Sequence, residues 1–375
     1  MNGWFFSRIR SQEKPLTPHY LLLTFFNMPD PNIASENSLA KSKPPLAGWF
    51  RRHKEKLWWF HSGYALLLGI GIMWLGARNY NYLRVTVLHV GFIWLSSIFL
   101  PRLLLHPRVS ARWAARLRLV VNFFNKNLYQ QVLFFILPIY YVSATLSSGN
   151  FIFVVALGLS ALLSTLDIIY DRHLSARRSL TAIFFAFNLF AMINVMLPVL
   201  WSVSNTWTTR IAALLAALGF ATLYNPLSRW KRLRVAFGAL AACSFVALVE
   251  SGRAYIPPAP LRLVGAEFGS AFQRESMRAE QALSELVDDQ AVRLWSVTAI
   301  RAPLGLKEKV QHRWFQNGRL LWASPFYEVT GGREEGFRLW TVYNFDMIVP
   351  ATELRVDVTT EGGQLIGRAR LKTAS

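Results

Sequence analysis

Apolar stretches alternate with basic loops through the first 255 residues of the chain. Nearly every Lys and Arg before residue 250 falls in alternate loops, and only Arg78, Arg84 and Arg210 lie in the others. This one-sided distribution is typical of multi-pass membrane proteins, because positively charged loops are retained on the cytoplasmic side. The pattern therefore predicts an α-helical multi-pass membrane domain at residues 57–256, preceded by a flexible basic cytoplasmic arm at residues 1–56.

Seven of the apolar stretches are long enough, or nearly so, to cross a hydrocarbon core of about 30 Å. They cover residues 58–77, 85–101, 127–147, 150–170, 180–202, 207–225 and 235–255. The last two are weaker, because the sixth contains Arg210 and the seventh has a short apolar core. An odd number of spans places the two ends of the chain on opposite sides of the membrane.

The net charge of +20 does not indicate a nucleic-acid-binding protein. The excess positive charge lies in the apolar half, and residues 251–375 are nearly balanced, so no basic stripe is concentrated on a soluble fold. The single cysteine, Cys243, excludes an intramolecular disulfide and a cysteine-based metal cluster. His61 and His89 would lie at different depths and cannot ligate one haem iron. No cofactor and no metal are therefore predicted.

Two carboxylates near the inner end of the fourth span, Asp167 and Asp171, are the candidate intramembrane polar residues. An ionisable side chain costs about 2.5–3.5 kcal/mol at mid-membrane, so such residues are commonly functional. Four residues apart, the two share a helix face, and with His173 they would form a proton relay or a hard-metal site. The alternative is that they simply end the helix beside basic residues.

Residues 257–290 are expected to form a linker and an amphipathic helix. Three prolines mark the start of this segment. Val264, Phe268, Phe272 and Leu283 then recur among charged positions at spacings near the helical period. The apolar face of this helix would rest on the following domain or on the membrane surface.

From residue 291 the period of the apolar residues changes to two, which is typical of strands. Six candidate strands follow, at 292–300, 309–316, 319–329, 337–345, 353–360 and 364–372. Asn317-Gly318 between two of them indicates a type I′ hairpin, because both positions of that turn need positive φ. Residues 291–375 are therefore predicted to form a small all-β, immunoglobulin-like sandwich domain, with a partly open barrel as the alternative.

Strand alternation places His312 and Trp314 on one face of a strand, and Arg338 and Trp340 on one face of another. If these faces meet, the two indoles and the guanidinium form a stacking surface for a sugar ring or a peptide, with His312 available for hydrogen bonding. The other interpretation, which is the commoner arrangement, is that the Trp side chains fill the core. No catalytic residue is predicted in this domain, because His312 is its only histidine.

The segment from Arg293 to Leu371 resembles a bacterial domain family of unknown function that is often a carboxyl-terminal module. The resemblance rests on His312-Arg313-Trp314, Asn317-Gly318, Arg338-Leu339-Trp340 and Arg355-Val356-Asp357-Val358. The chain departs from the module just before the Val-x-Val strand. The module has a Trp at that place, and this chain has Glu353 and Leu354. The apolar half resembles a second uncharacterised family that accompanies this module in Gram-negative bacteria. The resemblance implies an envelope context and no particular activity.

These features together predict an integral protein of the bacterial inner (plasma) membrane, with a cytoplasmic N-terminus and a periplasmic C-terminal domain. Its expected partners are the lipid bilayer and an envelope polysaccharide, a peptide or a membrane protein, bound by the β-sandwich in a sensor, scaffold or assembly role. The alternative is a transporter or membrane enzyme acting near the cytoplasmic face through Asp167 and Asp171. A nucleic-acid partner is not expected, and enzymatic activity is not expected because no catalytic motif is present.

Overall fold

The computed structural model describes residues 132–166, 177–224, 231–283, 285–286, 292–345 and 353–373, together with Leu67. Within these ranges five α-helices precede ten β-strands. The helices are α1 (Val132–Ser143), α2 (Phe151–Thr165), α3 (Arg178–Trp201), α4 (Asn205–Leu223) and α5 (Lys231–Ser251). Apart from Leu67, the arm at 1–56 and the predicted spans at 58–77 and 85–101 lie outside the described residues.

The helices pack around α3 and α4. α4 contacts both α3 and α5, and α1 and α2 share a hydrophobic core with α3. Hydrogen bonds between side chains tie this group together: Asn194 Nδ2 donates to the hydroxyl of Tyr140 at 3.0 Å, and Ser160 Oγ donates to Asn188 Oδ1 at 2.8 Å. In apolar surroundings such bonds fix how one helix sits against the next.

The predicted seven-helix membrane domain is wrong. In the part of the chain that the structure describes, two helical segments are long and apolar enough to cross a membrane, Ser179–Trp201 and Arg232–Ser251. The described part of α1 and the whole of α2 are shorter than the about 20 residues that a span needs. The predicted span at 127–147 includes a turn after Ser143, and the one at 150–170 stops being helical at Thr165. α4 begins with a polar turn and does not qualify.

A two-sheet β-rich region follows the helices. Its strands are β1 (Arg262–Gln273), β2 (Arg278–Ala282), β3 (Glu285–Leu286), β4 (Val292–Arg301), β5 (Lys307–Gln316), β6 (Arg319–Ala323), β7 (Tyr327–Thr330), β8 (Phe337–Phe345), β9 (Glu353–Thr360) and β10 (Leu365–Thr373). One sheet has the order β2-β1-β4-β8, and the other has the order β3-β10-β9-β5-β6, with β7 also paired to β5.

The two sheets face each other across a shared core. Inward side chains of β4, β5 and β9 alternate with outward ones, and Leu294, Trp314 and Val356 are fully buried in one cluster drawn from both sheets. The predicted hairpin at Asn317-Gly318 is confirmed: β5 and β6 pair antiparallel around it, and both turn residues have positive φ, 48° and 81°. These are the backbone angles of a type I′ turn.

The segment from Arg262 to Leu286 is not the expected amphipathic helix but strands β1, β2 and β3. Val264, Phe268 and Phe272 are spaced by four residues. That spacing keeps side chains on one face of a helix, but in β1 they do not share a face: Phe268 is buried between the sheets, Val264 is exposed, and Phe272 stacks against Trp295 on the outer side. Gly265 and Gly269, which lie between them, favour the strand because glycine weakens a helix interior.

Candidate functional site

The structure separates the four residues that were predicted to share one surface. His312 and Trp314 lie in the inward row of β5, and both are fully buried. Arg338 and Trp340 lie on β8 in the opposite sheet and point outwards, with Trp340 39% exposed. β5 and β8 therefore contribute to opposite layers, and only Arg338 and Trp340 are on the surface.

His312 and Trp314 belong to a buried hydrogen-bond network that links the two sheets. The Nε2 atom of His312 lies 2.7 Å from Thr298 Oγ1, and its Nδ1 atom lies 2.7 Å from Thr341 Oγ1. The indole Nε1 of Trp314 donates to the same Thr341 hydroxyl at 3.0 Å. Burial lowers the pKa of His312 to about 3, so the ring stays neutral at physiological pH. This network stabilises the packing of the sheets and offers no binding surface.

Trp340 instead belongs to an aromatic cluster on the outer face of the four-stranded sheet. We define this aromatic cluster as Phe272 of β1, Trp295 of β4 and Trp340 of β8. Ring centroids lie 5.2 Å apart for Phe272 and Trp295, 4.9 Å for Phe272 and Trp340, and 5.4 Å for the two Trp rings. The guanidinium of Arg293, an exposed residue, lies 5.3 Å from the ring centroid of Trp295. Indoles beside a guanidinium are well suited to stack on a planar or apolar group of a ligand.

The β1–β2 hairpin folds over this outer face and brings Phe272 to the two Trp rings. Arg338 Nη1 donates to the backbone carbonyls of Ser276 and Met277 in the hairpin turn, at 3.0 and 3.2 Å. Gly269 lies where the hairpin bends, and a Cβ atom there would lie 2.6 Å from the carbonyl oxygen of Glu280. A side chain at position 269 would therefore push the two strands apart.

A second polar site lies where the helices meet the β-rich region. Glu308 of β5 is 3% exposed, and its Oε2 atom accepts the backbone N–H of Asn205 at 2.7 Å. Burial raises the pKa of Glu308 to about 7, against smaller opposing effects of the Asn205 hydrogen bond and of Arg253. No sequence pattern indicated this contact, because it joins residues 103 positions apart. Phe272 and Trp295 were likewise missed as site residues. Trp295 lies beside Trp340 because β4 pairs with β8, and Phe272 reaches both rings because the β1–β2 hairpin folds over the outer face.

Asp167 and Asp171 lie outside the described residues, so the proposed relay at these positions stays a prediction. Within the described ranges, no group of three or more His, Cys, Asp or Glu side chains is placed to hold a metal ion.

The fold and these sites define a class of protein in which apolar helices are followed by a two-sheet β-rich region with an outer aromatic cluster. A family model described as Family of unknown function (DUF5924) matches residues 43–295. The match covers more than half of the chain, so the chain belongs to this family. The expected membership of an uncharacterised family is confirmed to that extent. The motifs after residue 295 lie beyond the matched range.

No curated protein matches the chain. Among solved structures, the chain is similar to the Pseudomonas fluorescens alkylpurine DNA glycosylase AlkC bound to DNA containing an abasic site analog, with 10% sequence identity. That likeness covers 81% of this chain and 99% of the glycosylase chain, with a TM-score of 0.19. At such a TM-score it carries no argument about fold, function or partners.

Proposed function

We propose that the protein is anchored in a membrane by its apolar helices and uses the outer face of the four-stranded sheet to bind an envelope component or a protein partner. The membrane would be the bacterial inner membrane, with the β-rich region on the periplasmic side. The role would be that of a sensor, scaffold or assembly factor. The aromatic cluster on an otherwise structural sheet is the observation that supports recognition.

Exposed apolar side chains on the helices support the membrane anchor. Only 11% of the apolar window of α5 is buried, and Val235 and Leu248 are 74% and 68% exposed. α2 presents a stripe of large apolar residues at helical spacing: Ile152, Val155, Leu159 and Leu162. Large exposed apolar surfaces are rare on soluble monomers and mark membrane or protein contacts. A core helix of a soluble protein would instead be mostly buried. α3 has this character, because 61% of its apolar window is buried.

The ends of the helices support an orientation for this anchor. Trp201 and Trp207 are exposed at the ends of α3 and α4 nearest the β-rich region, where interfacial aromatic residues are expected. The opposite end of α5 carries exposed Arg232 and Arg234. Since basic residues favour the cytoplasmic side, the β-rich region would face the other side. The 21 residues of α5 span about 30 Å at 1.5 Å per residue, which matches a hydrocarbon core.

The chain's single cysteine tests the anchor directly. Cys243 is exposed on α5, so in water it would react readily with a charged maleimide. In lipid we expect almost no reaction in sonicated membranes, because the charged reagent is excluded from the hydrocarbon core. Labelling should appear after denaturation in sodium dodecyl sulfate. Mass spectrometry of the labelled protein measures both states.

The matched control is Asn317→Cys in a Cys243→Ala chain. Asn317 lies at an exposed hairpin turn far from the helices. This variant should be labelled in cells with a permeabilised outer membrane and without lysis, which would place the β-rich region in the periplasm. Fast labelling of Cys243 in sonicated membranes would contradict the anchor, and labelling of position 317 only after lysis would contradict the orientation.

Recognition by the aromatic cluster is tested by photo-crosslinking in cells. A benzophenone amino acid at Trp340 should give a discrete adduct, because this position is exposed beside Trp295 and Arg338. The same amino acid at Leu320, which is 42% exposed on β6, is the matched control and should give none. Adding Trp295→Ala to the first chain should weaken the adduct, because it removes the indole that remains in the aromatic cluster. Equal adducts at positions 340 and 320, or none at 340, would contradict the proposal.

A further inference from the structure

Hydrogen bonds, not a shared apolar core, join the helical region to the β-rich region. Asn150 Nδ2 donates to the carbonyl oxygen of Leu365 at 3.1 Å, and Gln364 Nε2 donates to that of Ile256 at 3.1 Å. Among the described residues, no hydrophobic cluster contains side chains of both the helices and the strands. Because water replaces such hydrogen bonds when they open, each contributes little net stability. The junction is therefore specific in geometry but weakly held.

Glu308 occupies a position that normally holds an apolar residue. It lies in the inward row of β5 with His312 and Trp314. Its Oε2 atom accepts the N–H of Asn205, the first residue of α4. The side chain of the N-cap residue, Ser204, makes no capping hydrogen bond. Glu308 therefore caps the N-terminus of α4 from the other region of the protein, where a helix favours an acceptor and negative charge.

The charged neighbours of Glu308 act in opposite directions. Burial has the largest effect on the pKa of Glu308 and raises it. The hydrogen bond from the Asn205 N–H lowers the pKa, Glu361 in the β9–β10 turn raises it and Arg253 lowers it, and burial outweighs the two lowering effects. Arg253 is held by Glu250 at 2.8 Å, and Arg210 contacts the same Glu250 oxygen at 2.7 Å, so its charge is already partly neutralised. The net result is a pKa of about 7 instead of the usual 4.5.

Glu361 is in turn partly neutralised from outside the junction. Its carboxylate pairs with Lys309 at 3.3 Å, and both side chains are at least half exposed. Solvent screens this pair, so it affects Glu308 weakly. Burial in the closed junction is thus the main reason that Glu308 favours its neutral form.

Several buried polar atoms of the junction have no hydrogen-bond partner among the described residues. They are Oδ1 and Nδ2 of Asn205, Oγ1 of Thr206, Nε of Arg253 and Oε1 of Gln364. Buried polar groups are normally paired, so this concentration is unusual. Opening the junction would let water satisfy these atoms, which lowers the cost of opening.

We propose that the contact between Glu308 and Asn205 is a proton-controlled latch between the helical and β-rich regions. The regions dock tightly when the Glu308 carboxyl is neutral and separate more readily when it is ionised. A neutral carboxyl still offers its carbonyl oxygen to the Asn205 N–H and leaves no desolvated charge. An ionised carboxylate loses hydration in the closed junction and regains it on opening.

The direction and size of the effect follow from two pKa values of Glu308, about 7 in the closed junction and the usual 4.5 when it is open to water. The proton binds more strongly in the closed form, so the stabilisation is complete below pH 4.5 and is lost as the pH rises through about 7. Between pH 6 and pH 8 the docking equilibrium constant should fall about tenfold. His312 does not titrate in this window, because burial lowers its pKa to about 3.

Hydrogen–deuterium exchange of the full-length protein in detergent micelles tests the latch. Amide exchange rates of residues 204–209 are measured at pH 6, 7 and 8. The intrinsic rate of an unprotected amide at each pH, divided by the measured rate, gives the protection. The wild-type protection should fall about tenfold from pH 6 to pH 8. Glu308→Gln, which is always neutral, should keep its protection at pH 8 and lose the pH dependence. Glu328→Gln, an exposed glutamate paired with Lys307 near the same sheet edge, is the matched control and should behave like wild type.

Amide protection at residues 354–358 of β9 reports unfolding of the β-rich region and not opening of the junction. This protection should not change with pH. Equal wild-type protection at pH 6 and pH 8 would overturn the latch. So would a Glu308→Gln variant with the wild-type pH dependence. Should Glu308→Gln fail to fold, the wild-type profile decides the question alone, because the proposal requires its tenfold change.

Discussion

Replacing Trp314 with alanine is expected to lower the free energy of unfolding of the β-rich region by about 3–5 kcal/mol, the usual cost of truncating a buried Trp. Trp314 is fully buried, and its ring contacts Phe268, Tyr343 and Phe345 of the opposite sheet. Its Nε1 donates to Thr341. The alanine variant would leave a cavity between the sheets and remove the only indole donor to that hydroxyl among the described residues.

Pulse proteolysis of the full-length protein across a urea series measures this loss. The matched control is Trp340→Ala, which removes the same side chain from an exposed position. Its cost should be about 1.5 kcal/mol or less, because it loses aromatic pairs on the outer face and creates no enclosed cavity. Similar losses for the two variants would show that Trp340 is also a core residue, and the aromatic cluster would then not be a surface.

The strands of the β-rich region were predictable because many of their β-branched and aromatic residues recur with a period of two. Predicted strands at 337–345 and 353–360 coincide with β8 and β9, and the one at 292–300 differs from β4 by one residue. The predicted strand at 319–329 is two strands, because Pro325 interrupts it between β6 and β7. A pattern of period two identifies a strand but does not say which neighbour it pairs with.

That limit explains why the four predicted residues do not share one surface. The sequence shows that His312 and Trp314 share a face, and that Arg338 and Trp340 share another. It does not show that β5 and β8 belong to different sheets, so that one pair points into the core and the other away from it. The aromatic cluster also depends on the bend at Gly269, which brings Phe272 over the sheet.

The number of membrane spans was overestimated because an apolar stretch is not the same as a helix. Residues 144–147 were included in the predicted span at 127–147, yet they belong to a turn in which Asn150 Oδ1 accepts the N–H of Thr145. Its Nδ2 reaches the β-rich region at Leu365. The helix therefore ends early because a polar side chain is used at the junction, a contact that no local pattern contains.

Replacing Asp357 with alanine is the other change with a large expected effect, about 3 kcal/mol of lost stability. Asp357 lies on β9 and is 6% exposed. It forms a bidentate ion pair with Arg368 of β10, at 2.7 and 3.1 Å, and a third contact with Arg355 at 3.3 Å. Arg313 of β5 stands directly opposite on the other side. Without the carboxylate, Arg368 and Arg355 would lose the counter-charge that they share, with Arg313 beside them.

The exposed pair of Lys309 and Glu361 is the matched control. Glu361→Ala removes a single weak contact at 3.3 Å between side chains that are at least half exposed, so it should cost no more than about 1 kcal/mol. Asp357→Asn should fall between the two alanine variants, because the amide keeps one acceptor for Arg368 but loses the charge.

Urea titrations followed by pulse proteolysis, at low and high salt, measure all three. Salt should weaken the Lys309 pair much more than the Asp357 contacts, since burial shields the latter from screening. If Asp357→Ala were as mild as Glu361→Ala, the arginines would be hydrated independently of Asp357, and its burial would have no energetic consequence.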